Sequence, residues 1–410
     1  MLVLTWSQRF RFRVWVRSSM WLIPLAFVLL AIVLAVLMPW IDQQLTSDPP
    51  FTYSASSAQS TLSAIASGML VFTGFVFTVL TFAIQFGAGT YTPRLLRTIA
   101  TDVKTKVSLG VFVATFIYAL LVLADVAPGE TDYVPQYSVL LAVVLVGVSV
   151  LLFLGLIVSV TVSVRSGRVI ADVARMGRKV IERMFPDEVR DEPSSSAERH
   201  LPDGESQIVA NARPGGGVLQ AIDLDGIESF AETSGTTVEL VPAVGAFVPT
   251  GAPVFLVHGA PRSSSAASLL GSVAFGDERS FRQDPSYAIR VLVDIAIRAL
   301  SPGINDPTTA IEALGRIGDL LALVGTRQLP DGILRDDGGE VRFLYRTPSW
   351  SDYLSLSFTE IRIYGADNPL VADELRHMLD ELRGLVPSWR IDALDEQVWL
   401  LEEAVAKAAA

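Results

Sequence analysis

Cysteine is absent from the 410 residues, which removes disulfides, thiolate nucleophiles and cysteine-ligated zinc or iron–sulfur centres. Histidine is scarce: His200, His258 and His377 stand apart, none with a second ligand at metal-binding spacing, so no metal site is expected. Lysine is missing between Lys179 and Lys407. No Walker-type lysine loop, Gly-x-Ser-x-Gly elbow or dinucleotide fingerprint occurs, and Pro214-Gly215-Gly216-Gly217 leads into a strand pattern and reads as a loop. Asp223, Asp225, Glu228 and Glu232 select no acid–base pair. The expectation is a protein that is not an enzyme and carries no cofactor.

Half of the residues are apolar, and charge is divided unevenly. Up to Arg183 there are 14 Lys and Arg against 8 Asp and Glu, a net of +6, whereas the remainder holds 18 against 35, a net of −17. A basic membrane half suits anionic lipid at an inner surface. An acidic remainder opposes a nucleic-acid backbone, so nucleic acid is not an expected partner.

Four apolar stretches are long enough to cross a hydrocarbon core of ~30 Å: about residues 21–41, 62–84, 107–124 and 139–162. Met1 to Val36 has the basic start of a signal peptide, but its apolar stretch is long and lacks a small-residue cleavage site, so a retained first span is expected. Arg9, Arg11, Arg13 and Arg17 precede the first span. Arg94, Arg97, Lys104 and Lys106 separate the second and third, and Arg165, Arg168, Arg175, Arg178 and Lys179 follow the fourth. The other two connections contain no basic residue and carry Asp42, Asp48, Glu130 and Asp132. Basic residues stay on the cytoplasmic side, so the chain is expected in the inner cell membrane, multi-pass, with both termini cytoplasmic.

No ionisable residue lies near the middle of a span, which argues against ion-coupled transport. The second span carries Ser63, Ser67, Gly74, Thr78, Thr81 and Gln85 at intervals of three, four or seven, a polar and small seam. Phe72, Phe75, Val79, Phe82 and Phe86 are expected on its opposite face. Helix packing and the wall of an aqueous path both use such a seam. A weaker stripe, Gly147, Gly155, Ser159, Ser163 and Gly167, reads as a packing surface of the fourth span. A bend is expected after the second span, where Gly87, Gly89, Thr90 and Pro93 precede Arg94.

Beyond the membrane half (1–165) the expected organisation is a basic juxtamembrane helix and polar linker (166–206), a small β-rich unit (207–260) and a helical cytoplasmic domain (261–410). Short apolar runs broken by Gly and Pro give strands over 215–222, 237–242, 246–249 and 253–258. In VGAFVPTGAPVFLV, Gly245, Val248, Gly251 and Val254 fall three apart and resemble half of a barrel-sandwich domain of the biotinyl or lipoyl type. The hairpin lysine of those carriers is missing, so no prosthetic group is expected. Helical periodicity then predicts helices over 286–300, 309–325, 352–364, 369–385 and 391–408. Arg290, Asp294 and Arg298 read as an exposed ion-pair ladder.

Between the first two of these helices lies Ser301-Pro302-Gly303-Ile304-Asn305-Asp306-Pro307. Asp306 suits an N-cap and Pro307 the first helical position. Ser301, Pro302, Gly303, Asn305 and Asp306 therefore form either a capping turn or a cradle for a small ion or anionic group. The L-S-P-G-I-N-D-P run resembles a bacterial family of predicted membrane proteins, domain-of-unknown-function family twenty-two fifty-four. Gln283-Asp284, Ala288-Ile289-Arg290, Thr309-Ala310, Tyr364-Gly365-Ala366-Asp367 and Pro93-Arg94-Leu95-Leu96-Arg97 carry the same resemblance. It implies four spans and a cytoplasmic domain and brings no activity with it.

The fold expected is thus an α-helical membrane protein with a cytoplasmic α+β domain, part barrel-sandwich-like and part helical bundle. The function expected is a homo-oligomeric passive pathway for ions or small solutes with a cytoplasmic regulatory domain. The alternative is a non-conducting scaffold or sensor whose cytoplasmic domain binds a protein or small ligand.

Overall fold

The computed structural model describes residues 5–44, 52–90, 103–126, 134–163, 166–189, 206–259 and 266–409. It separates into two compact units, one of Val14–Arg165 and one of Met1–Arg13 with Ser166–Ala410.

In the first unit, α2 (Leu22–Gln44), α3 (Ala55–Thr90), α4 (Val103–Asp125) and α5 (Gln136–Ser163) follow a short amino-terminal helix, α1 (Trp6–Ser18). All four contain segments long and apolar enough to cross a membrane. At 36 residues α3 is ~54 Å long, more than a bilayer core requires. It begins ahead of its apolar stretch because Ser56, Ser57, Gln59 and Ser60 extend the helix without adding hydropathy. Gly87 and Gly89 lie within α3, and the expected bend at Pro93 lies outside the described residues.

Helix α4 is the hub, packed on α2, α3 and α5. Gly110 permits the close approach of α2: a Cβ there would lie 2.8 Å from Phe27 Cδ2 and 3.1 Å from the Pro24 Cα. Ala31, Ala58, Ala114, Ala119 and Ala142 supply the remaining small contact surfaces. Lipid tails are as apolar as Leu, so van der Waals fit of this kind holds spans together. Two polar contacts add direction. Thr115 and Ser149 pair at 3.2 Å between α4 and α5, each also bonding a carbonyl of its own helix. The Asp42 carboxylate accepts from the Tyr137 and Ser138 backbone N–H groups at 2.8 and 3.0 Å and from the Ser138 hydroxyl at 2.7 Å, satisfying amides that open α5.

The second unit is an α+β assembly. Helix α6 (Ser166–Met184), expected as a juxtamembrane connector, buries Ile170, Val173 and Ile181 and packs on α8 (Pro285–Ala299) and α9 (Pro307–Gly325). Strands β1 (Ser206–Ala210), β2 (Gly217–Ile222), β3 (Thr237–Leu240), β4 (Phe247–Val248), β5 (Pro253–His258), β6 (Val273–Gly276), β7 (Ile333–Arg335) and β8 (Val341–Leu344) form two sheets. Their orders are β1-β5-β3-β8-β7 and β4-β2-β6, antiparallel except for the β3–β8 pair. The sheets draw on residues well beyond 260, and α7 (Leu224–Ser234) packs beneath them, with Ile227 and Ala231 buried. In the barrel-sandwich-like run, Val248 and Val254 are buried while Gly245 and Gly251 take φ of +90° and +80°. Glycine is required there because other residues resist that conformation.

Helices α10 (Trp350–Gly365), α11 (Pro369–Leu385) and α12 (Ile391–Ala409) complete the unit. Helices α8 and α10 run parallel, since Arg290 meets Glu360 near their middles and Leu300 meets Gly365 at their ends. Helices α9 and α11 do likewise, since Gly318 meets Met378 and Gly325 meets Val386. The turns after α8 and α10 therefore share one end of the bundle, and both lead into a capped helix opened by proline, through Asp306-Pro307 and Asn368-Pro369.

Candidate functional site

Helix α3 carries three faces. Ala58, Leu62, Ala66, Met69, Val76 and Leu80 are buried at spacings of three, four or seven and form its contact with neighbouring spans. At 100° per residue the polar seam lies roughly 130° round the helix from that face. Ser63, Ser67, Gly74, Thr78 and Gln85 are exposed and Thr81 is half-buried. The seam extends upstream through exposed Ser56 and Ser60. The expected phenylalanine face lies beside the seam rather than opposite it: Phe72 packs edge-on against Phe112 and Phe153, while Phe75 and Phe82 are 56% and 69% exposed.

The hydroxyls of Ser67, Thr78 and Thr81 are satisfied within their own helix. Ser67 donates to the Ser63 carbonyl at 2.8 Å, Thr78 to Gly74 at 3.0 Å and Thr81 to Phe77 at 2.9 Å. Such back-bonding lets a hydroxyl sit in an apolar medium while leaving acceptor capacity on its oxygen. Beside the seam an open depression of about 540 Å³ is bounded by Ser67, Gly68, Val71, Phe72 and Phe75. Nothing lies within 4 Å of a Cβ placed on Gly68 or Gly74. Gly147 and Gly155 of α5 are likewise open, whereas a Cβ on Gly167, the last residue of that stripe, would meet the Glu312 carboxylate; packing among the spans uses Gly110 and alanines.

At the second candidate site the Asp306 carboxylate accepts from the Thr309 backbone N–H at 3.1 Å and from the Thr309 hydroxyl at 2.6 Å. It is the N-cap of α9. Ser301 closes the preceding helix, its hydroxyl bonding the Arg298 carbonyl at 2.6 Å, and the Asp306 N–H bonds the Ala299 carbonyl at 2.8 Å. Asn305 has φ of +49°, a left-handed conformation that Asn tolerates better than most residues. Pro302, Gly303 and Asn305 are exposed. Each polar residue of the motif thus has a local backbone role.

Other residues marked in the sequence resolve into supports. The Gln283 amide exchanges two hydrogen bonds with the Ile222 backbone, at 2.8 and 3.0 Å, and ties β2 to the start of α8. Asp284, 4% exposed, takes both arms of Arg279 at 2.8 and 2.9 Å. Burial still pushes its carboxyl above the ordinary value, against the pull of that guanidinium. The expected exposed ladder is largely covered: Arg290 bonds Asp294 at 2.6 Å and also bonds Glu360 on α10, with side chains 20% and 14% exposed for the first two. Bonding to Glu360, opposed by desolvation, raises the Arg290 pKa above its usual value.

His258 bridges Ser206 Oγ, 2.8 Å from Nδ1, and Glu239, 3.1 Å from Nε2. His377 pairs with Glu381 one turn away, and His200 lies outside the described residues. Asp223 and Asp225 stand at the start of α7, and burial raises the Asp223 carboxyl. Among the described residues no cluster of three metal-ligating side chains occurs. Sequence reading passed over Arg390, which is 4% exposed and donates to the Val324, Gly325 and Arg327 carbonyls.

The family model described as Predicted membrane protein (DUF2254) matches residues 17–381. The uncharacterized protein MT1328 of Mycobacterium tuberculosis (strain CDC 1551 / Oshkosh) is 30% identical over 367 residues, covering 86% of this chain and 69% of its own. The uncharacterized proteins Mb1321c of Mycobacterium bovis and Rv1290c of Mycobacterium tuberculosis (strain H37Rv) are each 29% identical over the same coverage. No solved structure matches the chain.

Proposed function

This chain belongs to that family of predicted membrane proteins, and from that premise we propose that it assembles with copies of itself through α3 into a passive pathway for ions or small solutes. What supports this reading is the direction of the polar seam. Ser63, Ser67, Gly74, Thr78 and Gln85 are exposed on the single chain, away from the face that packs on neighbouring spans. In a bilayer such a face meets lipid, another subunit or water. A second copy settling into the depression at Gly68 brings two seams near one another, where their hydroxyls line a polar path.

The reading also sets the sides of the membrane. Residues 5–13 precede all four spans and residues 166–409 follow them, yet both segments fold into one unit. An even number of crossings returns the chain to the side it left, and the bias of Lys and Arg makes that side cytoplasmic.

Flux in liposomes tests the pathway. Purified chain is expected to conduct, and Thr78→Leu with Thr81→Leu to cut the flux sharply. Absence of conductance in every lipid and voltage condition sinks the reading. One observation favours a non-conducting sensor instead: Ile304, in the turn after α8, and Tyr364 and Leu370, in the helix ends that flank the turn after α10, are 44%, 55% and 61% exposed at one end of the bundle. Under that alternative, a ligand screen by thermal shift on the full chain should yield a binder whose effect Asn305→Ala removes.

A further inference from the structure

Strands β1, β5 and β3 lie side by side in the five-stranded sheet, with β1 at its edge. Ser206 stands opposite His258 across the β1–β5 pair, and Glu239 stands opposite Leu256, two residues before His258, across the β3–β5 pair. Side chains alternate between the faces of a strand, so Ser206, His258 and Glu239 share one face. The other face carries Val209, Val238, Phe255 and Val257 into the core. His258 is 8% exposed and its ring joins the two partners: Ser206 Oγ lies 2.8 Å from Nδ1 and Glu239 Oε2 lies 3.1 Å from Nε2. Ser206 itself is exposed.

These contacts set a direction of proton transfer. A carboxylate accepts and does not donate, so the Glu239 contact requires a proton on Nε2. In the neutral imidazole that leaves a lone pair on Nδ1, to which the Ser206 hydroxyl donates. A hydroxyl open to solvent, a ring placed to take its proton and a carboxylate that holds the ring in one tautomer are the parts of an activated serine nucleophile. Such sets are recognised by geometry and role rather than by chain order, so the lack of a Gly-x-Ser-x-Gly elbow does not exclude this one. The same face offers a seat for an apolar group. Ile208, two residues along β1 from Ser206, is 64% exposed and stands opposite half-buried Leu256.

We propose that Ser206, His258 and Glu239 form a hydrolytic site for carboxylic esters with an apolar acyl group. Ser206 Oγ bonds to the ester carbonyl carbon while its proton passes to His258 Nδ1. The bond from that carbon to the alcohol oxygen breaks, and the alcohol leaves with the proton. Water then adds to the acyl-serine carbon, giving a proton to Nδ1. The carbon–Oγ bond breaks, the carboxylic acid departs and that proton returns to Oγ. Glu239 is a positioning residue, which fixes the tautomer and offsets the charge of the imidazolium. This activity goes beyond the membrane pathway and does not depend on it.

A fluorophosphonate probe added to the purified full chain in detergent tests the nucleophile. An adduct on Ser206, located by mass spectrometry, is expected in the wild type and is lost in His258→Gln. An open sheet face excludes little water, so turnover is expected to be slow and the accumulating adduct is the primary readout. Hydrolysis of p-nitrophenyl butyrate should fall at least about a hundredfold in Ser206→Ala and in His258→Gln. Glu239→Gln should lower kcat at least about tenfold with KM unchanged, and Glu239→Asp should recover part of the loss. A role confined to joining β3 to β5 would move the thermal midpoint and leave kcat alone. The proposal is overturned by the absence of an adduct on Ser206, by an adduct that forms equally in His258→Gln, or by hydrolysis unaltered in Ser206→Ala. Should His258→Gln fail to fold, the wild-type adduct and Ser206→Ala, an exposed position on an edge strand, decide alone. None of these measurements depends on flux, so failure here is distinguishable from failure of the pathway.

Discussion

Arg390 shows how much a single side chain can hold. Its guanidinium satisfies carbonyls at the end of α9 and just beyond it, and it lies 5.6 Å over the Trp350 ring, while the Trp350 indole N–H bonds the Arg390 carbonyl at 3.1 Å. Burial lowers its pKa below the ordinary arginine value. Arg390→Met is expected to destabilise the unit by about 3 kcal/mol, because the carbonyls lose their partner inside the protein. Arg390→Lys should recover little, since an ammonium cannot reproduce the planar fork. Thermal unfolding of the detergent-solubilised chain measures both, and an unchanged midpoint in Arg390→Met would refute the assignment. Nothing in Ser388-Trp389-Arg390 announces this role: an arginine between a proline and a helix is ordinarily solvated, and only the fold turns it inward. Asp306 is the opposite case, because an Asp before a Pro already has the geometry of an N-cap.

At the scale of elements, periodicity located helices well and their partners poorly. The range 369–385 and the strand over 253–258 match the sequence expectation because proline marks where each begins. Strands β7 and β8 carry little signal in the sequence, being three and four residues long, and β8 joins β3 by a distant parallel pairing. The face of α3 that packs carries no mark in the sequence either. In hydrocarbon a buried Leu and an exposed Phe have the same polarity, so hydropathy does not mark the inside. Packing shape does, and Gly177 makes the point in the other unit. A Cβ at 177 would lie 2.5 Å from the Ala288 Cβ and 3.0 Å from Leu320 Cδ1, where α6 crosses α8 and α9. The Ala288 Cβ is fixed to its backbone and cannot rotate away. Gly177→Ala should therefore cost about 1–3 kcal/mol despite the better helix propensity of alanine. A raised melting temperature in that variant would show that the crossing relaxes freely.

For the molecule as a whole, the charge asymmetry visible in the sequence and the composition of the α+β unit make one topological claim between them. Residues 5–13 are far from 166–409 in sequence, with four spans intervening, but Phe10 is covered by a unit built mainly from the later segment. An odd number of crossings would put them on opposite sides of the bilayer and forbid that contact. The missing cysteines make the test simple, since any introduced thiol is the only one. Thr52→Cys lies between the first and second spans and Lys407→Cys near the end of α12, both exposed. A membrane-impermeant maleimide is expected to label Thr52→Cys in intact cells and Lys407→Cys only after lysis. The reverse pattern would invert the orientation without altering the fold. Labelling of both positions in intact cells would mean that the number of crossings between them is even, and the shared unit of residues 5–13 and 166–409 would then require α2 and at least one of α3, α4 and α5 to lie outside the bilayer.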